Sequence, residues 1–180
     1  KESVKTVSSG RTDAGVHALG HVANFMTTSS LPSAAWTPAL NRLLPPDIRI
    51  LSSEEVPLDF HARFSARGKI YCYRILNRKP PSALQRGRVW HVDRKLNLSA
   101  MRRSAEALLG RHDFTSFRSS GCGAKTAIRN IKSITIKKSG DLIEIRIEAD
   151  AFLMHMVRNI VGTLVETGLG RFSAVDVRKI

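Results

Sequence analysis

The stretch IRNIKSITIKKSGDLIEIRIEA, residues 128–149, decides the fold class of this chain. Two runs rich in β-branched residues, 128–137 and 142–149, are separated by a turn sequence centred on Gly140. Alternation of apolar and charged residues is typical of half-buried strands, and a glycine turn between two such runs is typical of a hairpin. The side chains predicted to share one face of the second strand are Ile143, Ile145 and Ile147. The stretch therefore predicts an antiparallel hairpin with one buried face.

Other helices and strands are predicted on both sides of the hairpin. Helices are predicted over residues 33–44, 98–109 and 153–168, where apolar residues recur at helical spacing or helix-ending signals follow. Strands are predicted near Val4 and Val7 and over residues 21–27, 47–56 and 66–77. Antiparallel strands with helices between them, without regular strand-helix alternation, predict an α+β fold.

The composition points to a polyanionic partner. The 180 residues include 29 Lys and Arg against 15 Asp and Glu, so the net charge is +14, and these charges are spread along the chain. Nucleic acid is the leading candidate, while the alternative is that the charge serves only solubility. No apolar run approaches the roughly 20 residues needed to span a bilayer. With only Cys72 and Cys122 there is no disulfide framework, and a reducing cytoplasm is predicted.

The chain is predicted to form a single core, residues 1–180, with a seam between two lobes near residues 79–87. It begins without methionine and ends just after a capping-box pattern, Ser173 with Asp176, that starts a helix. We therefore expect it to be a piece of a longer protein, truncated at both ends.

Asp13 stands out as a lone carboxylate in a basic, glycine-rich segment, SSGRTDAGVHALGHVANF, residues 8–25. An aspartate before a glycine turn is often only a turn former. However, Arg11 lies beside it, and Arg158 lies at the margin of the apolar stripe of helix 153–168, where a carboxylate partner would compensate its charge. Such a pair would keep Asp13 ionised for nucleophilic or base chemistry. The alternative is that Arg158 snorkels to solvent without a fixed partner.

The strand over residues 66–77 is predicted to expose a basic, aromatic face made of Lys69, Tyr71 and Tyr73. An aromatic ring beside a cation is what an unstacked base needs as a platform. Tyrosines at this spacing are equally typical of strand residues that pack on a helix.

No metal site is predicted. His17 and His21 are four residues apart, but no glutamate lies between them and helix signals are absent, so zinc is disfavoured. A metal-dependent nuclease using these histidines with Asp13 is the weakest of the functional hypotheses. The loop SSGCGAKTA, residues 119–127, lacks the spacing of a phosphate-binding loop and is interpreted as a flexible basic loop.

Three motifs carry a close resemblance to a known family: GRTDAGVHA at 10–18, FHARFSARGKIYCY at 60–73 and FLMHMVRNIVG at 152–162. Together with HDFTSFR at 112–118 and the stretch 36–46, they make the chain similar over essentially its whole length to the TruA family of tRNA pseudouridine synthases. The resemblance implies conversion of uridine to pseudouridine in the tRNA anticodon arm, at positions 38, 39 and 40, with the base detached from C1′ and rejoined through C5.

The resemblance also implies roles for particular residues. Asp13 matches the catalytic aspartate, Arg158 the arginine that pairs with it, and Tyr71 the tyrosine that stacks on the target base. Arg11 matches an arginine that helps to hold the flipped nucleotide. Further substrate-binding residues predicted within these motifs are His17, Arg63 and Lys69.

The implied fold has two lobes with antiparallel sheets flanked by helices around a basic central cleft, usually in a homodimer. No cofactor or metal is expected, because the isomerisation exchanges no electrons and releases no group. Family members normally begin before the position of Lys1 and continue past Ile180. The alternative function is a non-catalytic RNA-binding or RNA-chaperone module, which would have no use for Asp13.

Overall fold

The structure is a computed structural model that describes residues 2–180. The chain forms two compact units, the first ending at Ala66 and the second running from Arg67 to Ile180. Residues 79–87, where a seam between two lobes was predicted, lie inside the second unit. Within the described range, no helix is both long enough and apolar enough to cross a membrane.

The first unit contains a small antiparallel ladder and one helix. Strands β1 (Val7–Ser8) and β2 (Ala23–Asn24) pair antiparallel and are shorter than the sequence predicted. Helix α1 (Ser33–Leu43) ends just before the prolines at 45 and 46, as predicted. Proline lacks the backbone N–H that a continuing helix would need.

The strand predicted over residues 47–56 is wrong, because this segment bonds to α1 instead of to another strand. The side chain of Asn41 accepts a hydrogen bond from the Ile50 N–H (2.8 Å) and donates one to the Ile50 carbonyl (2.9 Å). The Ser53 hydroxyl donates to the Ser33 carbonyl at 2.7 Å. The Asn41 side chain thus binds both backbone groups of Ile50, which a neighbouring strand would otherwise pair.

The second unit is a five-stranded sheet with helices packed on it. Its strands are β3 (Lys69–Asn77), β4 (Trp90–Val92), β5 (Gly110–Asp113), β6 (Ile128–Ser139) and β7 (Leu142–Ala149). Its helices are α2 (Leu98–Glu106), a short 3-10 helix (Thr115–Phe117), α3 (Met156–Gly168) and α4 (Ala174–Lys179). The strand order is β4-β3-β7-β6-β5, and all neighbours pair antiparallel except β3 with β4. This mixed architecture confirms the α+β prediction.

The hairpin of β6 and β7 is confirmed and supplies the centre of the core. Ile143, Ile145 and Ile147 are fully buried, in one cluster with Ile160 and Leu164 of α3. Each such side chain contributes roughly 1.5–3 kcal/mol through burial. The helix predicted over 153–168 therefore packs as its apolar stripe indicated, although it begins only at Met156.

The orientation predicted for β3 is wrong. Tyr71 lies opposite Ile147 and Tyr73 opposite Ile145, so both tyrosines share the core face of the sheet and are half-buried. The face exposed to solvent carries Ile70, 67% exposed, and Cys72. The alternation within β3 was predictable, but the partner strand decides which face meets the helices.

One helix boundary differs from the sequence prediction, and two short strands were not predicted. Helix α2 ends at Glu106, short of the predicted residue 109, and Gly110 adopts a left-handed φ of 92° where β5 begins. Strands β4 and β5, of three and four residues, are too short for a period-two pattern to reveal.

Candidate active site

Asp13 opens a tight turn in the long loop between β1 and β2. Its carbonyl accepts a hydrogen bond from the Val16 N–H at 3.0 Å, and Gly15 at the third position has a φ of +78°. That geometry is typical of a type II turn, which needs a residue tolerant of positive φ at this position. The Asp13 side chain is exposed. The turn therefore accounts for the backbone of Asp13 and leaves the carboxylate accessible.

The base of this loop is held by the two strands that flank it. The Ser9 N–H donates to the Val22 carbonyl at 2.8 Å, and the Ser8 hydroxyl donates to the Gly10 carbonyl at 3.0 Å. Arg11 and His17 lie on the same loop and are exposed. The loop thus presents a carboxylate, a guanidinium and an imidazole over seven consecutive residues.

Within residues 2–180, no group of three or more His, Cys, Asp or Glu side chains is arranged to hold a metal ion. His17 and His21 are both exposed.

The segment carrying Arg63 is attached to β2 in the same unit. Asn24 accepts a hydrogen bond from the Ala62 N–H at 2.9 Å and donates to the Phe60 carbonyl at 3.4 Å. Ala62 is buried, while Arg63 and Phe64 are exposed. The start of the 60–73 motif is thereby held to β2, the strand that follows the loop carrying the 10–18 motif.

In the second unit, Tyr71 and Lys69 lie on β3 two residues apart, on the same face of the strand. The Tyr71 ring meets the Phe152 ring edge-on, with centroids 5.0 Å apart and planes at 80°. Both rings are half-buried, so part of the Tyr71 ring is still accessible. Phe152 opens the third motif, but its position against Tyr71 depends on tertiary packing and has no signal in the sequence.

Arg158 is an exposed residue of α3 between buried Val157 and half-buried Asn159. Asn159 donates to the Phe117 carbonyl at 2.9 Å, which fixes this turn of the helix against the short 3-10 helix. The Arg158 guanidinium therefore extends from a well-anchored turn of α3. Arg158 was predicted to lie at the margin of the apolar stripe of this helix.

The start of α3 has an unusual backbone. His155, the residue before the helix, has a φ of 59°, and it is the one non-glycine residue with positive φ among residues 2–180. Its Nδ1 lies 2.9 Å from the Ser119 hydroxyl. Sequence reasoning missed His155, since a left-handed backbone at histidine is not visible in a helical pattern.

The loop at 119–127 is attached to the same end of α3. The Ser119 N–H donates to the Met154 carbonyl at 3.2 Å. Backbone hydrogen bonding at Met154, and then at Ala124, lowers the pKa of the Cys122 thiol, with Arg118 and Arg129 acting in the same direction. The loop predicted to be basic and flexible thus has defined contacts at its first half.

Comparison with known proteins finds one family across both units. A family model described as tRNA pseudouridine synthase matches residues 1–65 and 104–180. The chain is 49% identical over 179 residues to tRNA pseudouridine synthase A of Acetivibrio thermocellus, covering 99% of this chain and 73% of that protein. It is 49% identical over 177 residues to tRNA pseudouridine synthase A 2 of Clostridium tetani, covering 98% and 71% respectively. With tRNA pseudouridine synthase A of Myxococcus xanthus it shares 48% identity over 178 residues, covering 98% and 67%.

Proposed function

This chain belongs to the tRNA pseudouridine synthase family, and we propose that Asp13 is the carboxylate on which its reaction depends. The chain is an isomerase that converts uridine in tRNA to pseudouridine. The observation that supports Asp13 is its place at the first corner of a tight turn, exposed, in a loop tied at its base to two strands. Such a residue can project a charge at a fixed point while its backbone stays satisfied.

The reaction has a simple balance of bonds. The bond between C1′ and N1 breaks, the uracil turns, a bond between C1′ and C5 forms, and the proton on C5 is lost while N1 gains one. A carboxylate can serve this sequence by attacking a carbon atom or by accepting the C5 proton. Both roles require Asp13 to be ionised and close to a uridine removed from its stack.

Arg158 is the proposed cationic partner of Asp13. An exposed guanidinium pairs with a carboxylate at low desolvation cost, and the anchored turn of α3 limits the entropy lost in doing so. Arg158→Lys would keep the charge but lose the planar fork, so we expect it to retain less activity than the wild type and more than Arg158→Ala.

Tyr71 is the proposed stacking partner of the flipped uracil. Its ring is already oriented by Phe152 and Tyr71 is only partly buried, so little side-chain freedom would be lost when a base stacks on it. Stacking is worth roughly 1–3 kcal/mol per base, which is comparable to the cost of flipping one nucleotide. The phosphates around the flipped nucleotide would be held by Arg11, His17 and Lys69, and Arg63 would bind another part of the tRNA.

The finer identity of the substrate is also proposed. We infer that the modified uridines are those at positions 38, 39 and 40 of the anticodon arm, and that the enzyme works as a cytoplasmic homodimer whose two lobes enclose a basic cleft. The net charge of +14 favours a long polyanionic contact of this kind.

The decisive experiment replaces Asp13 by Asn and measures tritium release from tRNA labelled at C5 of uridine. Because C5 loses its hydrogen when the new bond forms, release reports the chemistry directly. We expect the rate to fall by at least about 100-fold, with tRNA binding retained. Asp47→Asn, an exposed aspartate of the same unit, is the matched control and should leave the rate unchanged.

A wild-type rate in the Asp13→Asn variant would overturn the role of Asp13. If the unmodified protein binds tRNA but forms no pseudouridine, a non-catalytic RNA-binding role would be favoured instead.

A further inference from the structure

One exposed aromatic ring has no part in the proposed chemistry. Phe64 is 78% exposed, whereas the next most exposed of the seven phenylalanines, Phe172, is 43% exposed. A single exposed apolar residue needs no explanation by itself. Phe64, however, is one member of a small ordered cluster.

The cluster consists of two stacked rings and a cation. The His61 and Phe64 rings are stacked with centroids 4.2 Å apart and planes inclined by 28°. The guanidinium carbon of Arg63 lies 5.9 Å from the centroid of the Phe64 ring. The cluster therefore combines a flat aromatic surface with a positive charge over the Phe64 ring, and Phe64 is still mostly open to solvent.

The turn that carries these side chains is held in place by its backbone. The Phe64 and Ser65 N–H groups both donate to the His61 carbonyl, at 2.9 and 2.8 Å, and the His61 N–H donates to the Ser65 hydroxyl at 3.2 Å. Ala62, 3% exposed, anchors the turn to Asn24 of β2. A ring presented on such a turn is pre-organised, so a ligand need not order it.

We propose that His61, Arg63 and Phe64 form a stacking platform for an unpaired nucleobase of the tRNA other than the uridine that is isomerised, with Arg63 on an adjacent phosphate. The choice of tRNA as the occupant rests on the proposed function. A planar open ring next to a guanidinium fits a nucleobase and its phosphate, because bases stack on aromatic side chains while arginine binds the backbone. The target uridine itself is assigned to Tyr71, which lies in the other unit.

The test compares three substitutions of Phe64 by their dissociation constants for tRNA at fixed salt. Phe64→Ala should bind roughly 5- to 150-fold more weakly, the range expected for loss of one stacked base. Phe64→Leu keeps the apolar bulk without a π-face and should also bind weakly, whereas Phe64→Trp should bind at least as tightly as the wild type. Leu58→Ala removes an 88% exposed apolar side chain of the same unit and is the matched control, expected to bind normally.

Two further readouts separate stacking from charge. The fluorescence of the tryptophan in Phe64→Trp should be quenched by tRNA beyond the change seen in the wild type. When log affinity is plotted against log salt concentration, the magnitude of the slope should fall by about one in Arg63→Gln. The slope should not change in Phe64→Ala. Circular dichroism and thermal unfolding of each variant exclude misfolding as the cause of weak binding.

Wild-type affinity in Phe64→Ala would overturn the platform, and so would full binding by Phe64→Leu, which would indicate a plain apolar contact. Pseudouridine formation measured on the same wild-type preparation distinguishes the two proposals. Binding that depends on Phe64 without any pseudouridine would leave the platform standing and remove the proposed function. If pseudouridine forms but tRNA binding does not depend on Phe64, the platform is overturned and the proposed function stands.

Discussion

At the scale of single residues, the turn at Asp13 depends on one glycine. Gly15 has a φ of +78°, yet a methyl group built on it would meet no atom within 4 Å. The requirement for glycine is therefore conformational and not steric. Since an L-residue pays roughly 1–2 kcal/mol in this region, the identity of Gly15 bears directly on how firmly Asp13 is positioned.

Gly15→Ala is expected to lower the free energy of unfolding by about 1–2 kcal/mol, measured by urea denaturation. Gly20 lies in the same loop without positive φ and also has open space around it, so Gly20→Ala should change stability by less than about 0.5 kcal/mol. Gly15→Asn should fall between the two, because asparagine tolerates the left-handed region better than alanine. Equal stabilities of the two alanine variants would contradict this account of the turn.

The same residues show what sequence reasoning can reach. Asp13 could be identified as a turn residue from its neighbours, because glycine and aspartate have local backbone preferences. The contact of Tyr71 with Phe152 and the left-handed backbone of His155 could not, because both depend on residues distant in sequence or on packing against the loop at 119–127. The local backbone preferences of these residues could be predicted from the sequence, whereas the tertiary contacts that orient their side chains could not.

At the scale of elements, helices α2 and α3 are in close contact at Gly168. A methyl group built there would lie 2.9 Å from the sulfur of Met101 and 3.1 Å from a methyl carbon of Leu96. Met101 is fully buried, so it has little room to move. Gly168 thus sets the spacing at this contact.

Gly168→Ala should therefore destabilise the protein by roughly 1–3 kcal/mol, the usual cost of overpacking. Gly162 lies in the middle of the same helix with nothing within 4 Å of an added methyl group. Gly162→Ala should accordingly stabilise by roughly 0.5–1 kcal/mol, since alanine is the better helix former. Calorimetric melting of both variants checks the prediction, and a stabilised Gly168→Ala variant would refute the close contact.

The cap of α4 predicts a specific dependence on pH. The Ser173 hydroxyl, and then its backbone N–H, donate to the Asp176 carboxylate and lower the pKa of that group below its usual 3.8. Because the pKa is lower in the folded state, the stabilisation is complete above the unfolded pKa and is lost as pH falls through the folded one. Ser173→Ala should raise the pKa of Asp176 towards its usual value, as followed by NMR titration.

Asp113 is the internal control for that titration. Its pKa is lowered chiefly by the Thr115 hydroxyl, which Ser173→Ala does not touch. Asp113 should therefore titrate identically in both proteins. A shift of Asp113 together with Asp176 would point to a general change in the fold instead of a lost cap.

The helices and strands that could be predicted are those with a hydrophobic pattern that repeats several times. The hairpin of β6 and β7 and the stripe of α3 have enough repeats to identify both the element and its buried face. The segment 47–56 has a strand-like pattern, but both backbone groups of Ile50 at its centre are bound by the Asn41 side chain of α1. The side of β3 that is buried could not be read from β3 alone, since β7 determines it.

At the scale of the whole molecule, the two units differ in how much they bury. The apolar core cluster, from Ile75 to Val177, lies entirely in the second unit. In the part of the first unit that the structure describes, Ala62 is the one buried residue, at 3% exposure. Elements with few buried contacts open at lower free energy than the core. The loop with Asp13 and the turn with Phe64 both belong to the less buried unit.

Hydrogen exchange followed by mass spectrometry should reveal this difference in the 180-residue chain. We expect peptides covering β1, β2 and the Asp13 turn to exchange at least about 100-fold faster than those covering β7 and α3, because they open locally while the core opens only on global unfolding. Adding tRNA should slow exchange at residues 8–18 and 60–66, where the proposed contacts lie, and leave α4 unchanged. Equal protection of β1 and β7 in the free protein would contradict the first expectation. Protection by tRNA confined to the second unit would contradict the second, and would place the RNA contacts away from Asp13.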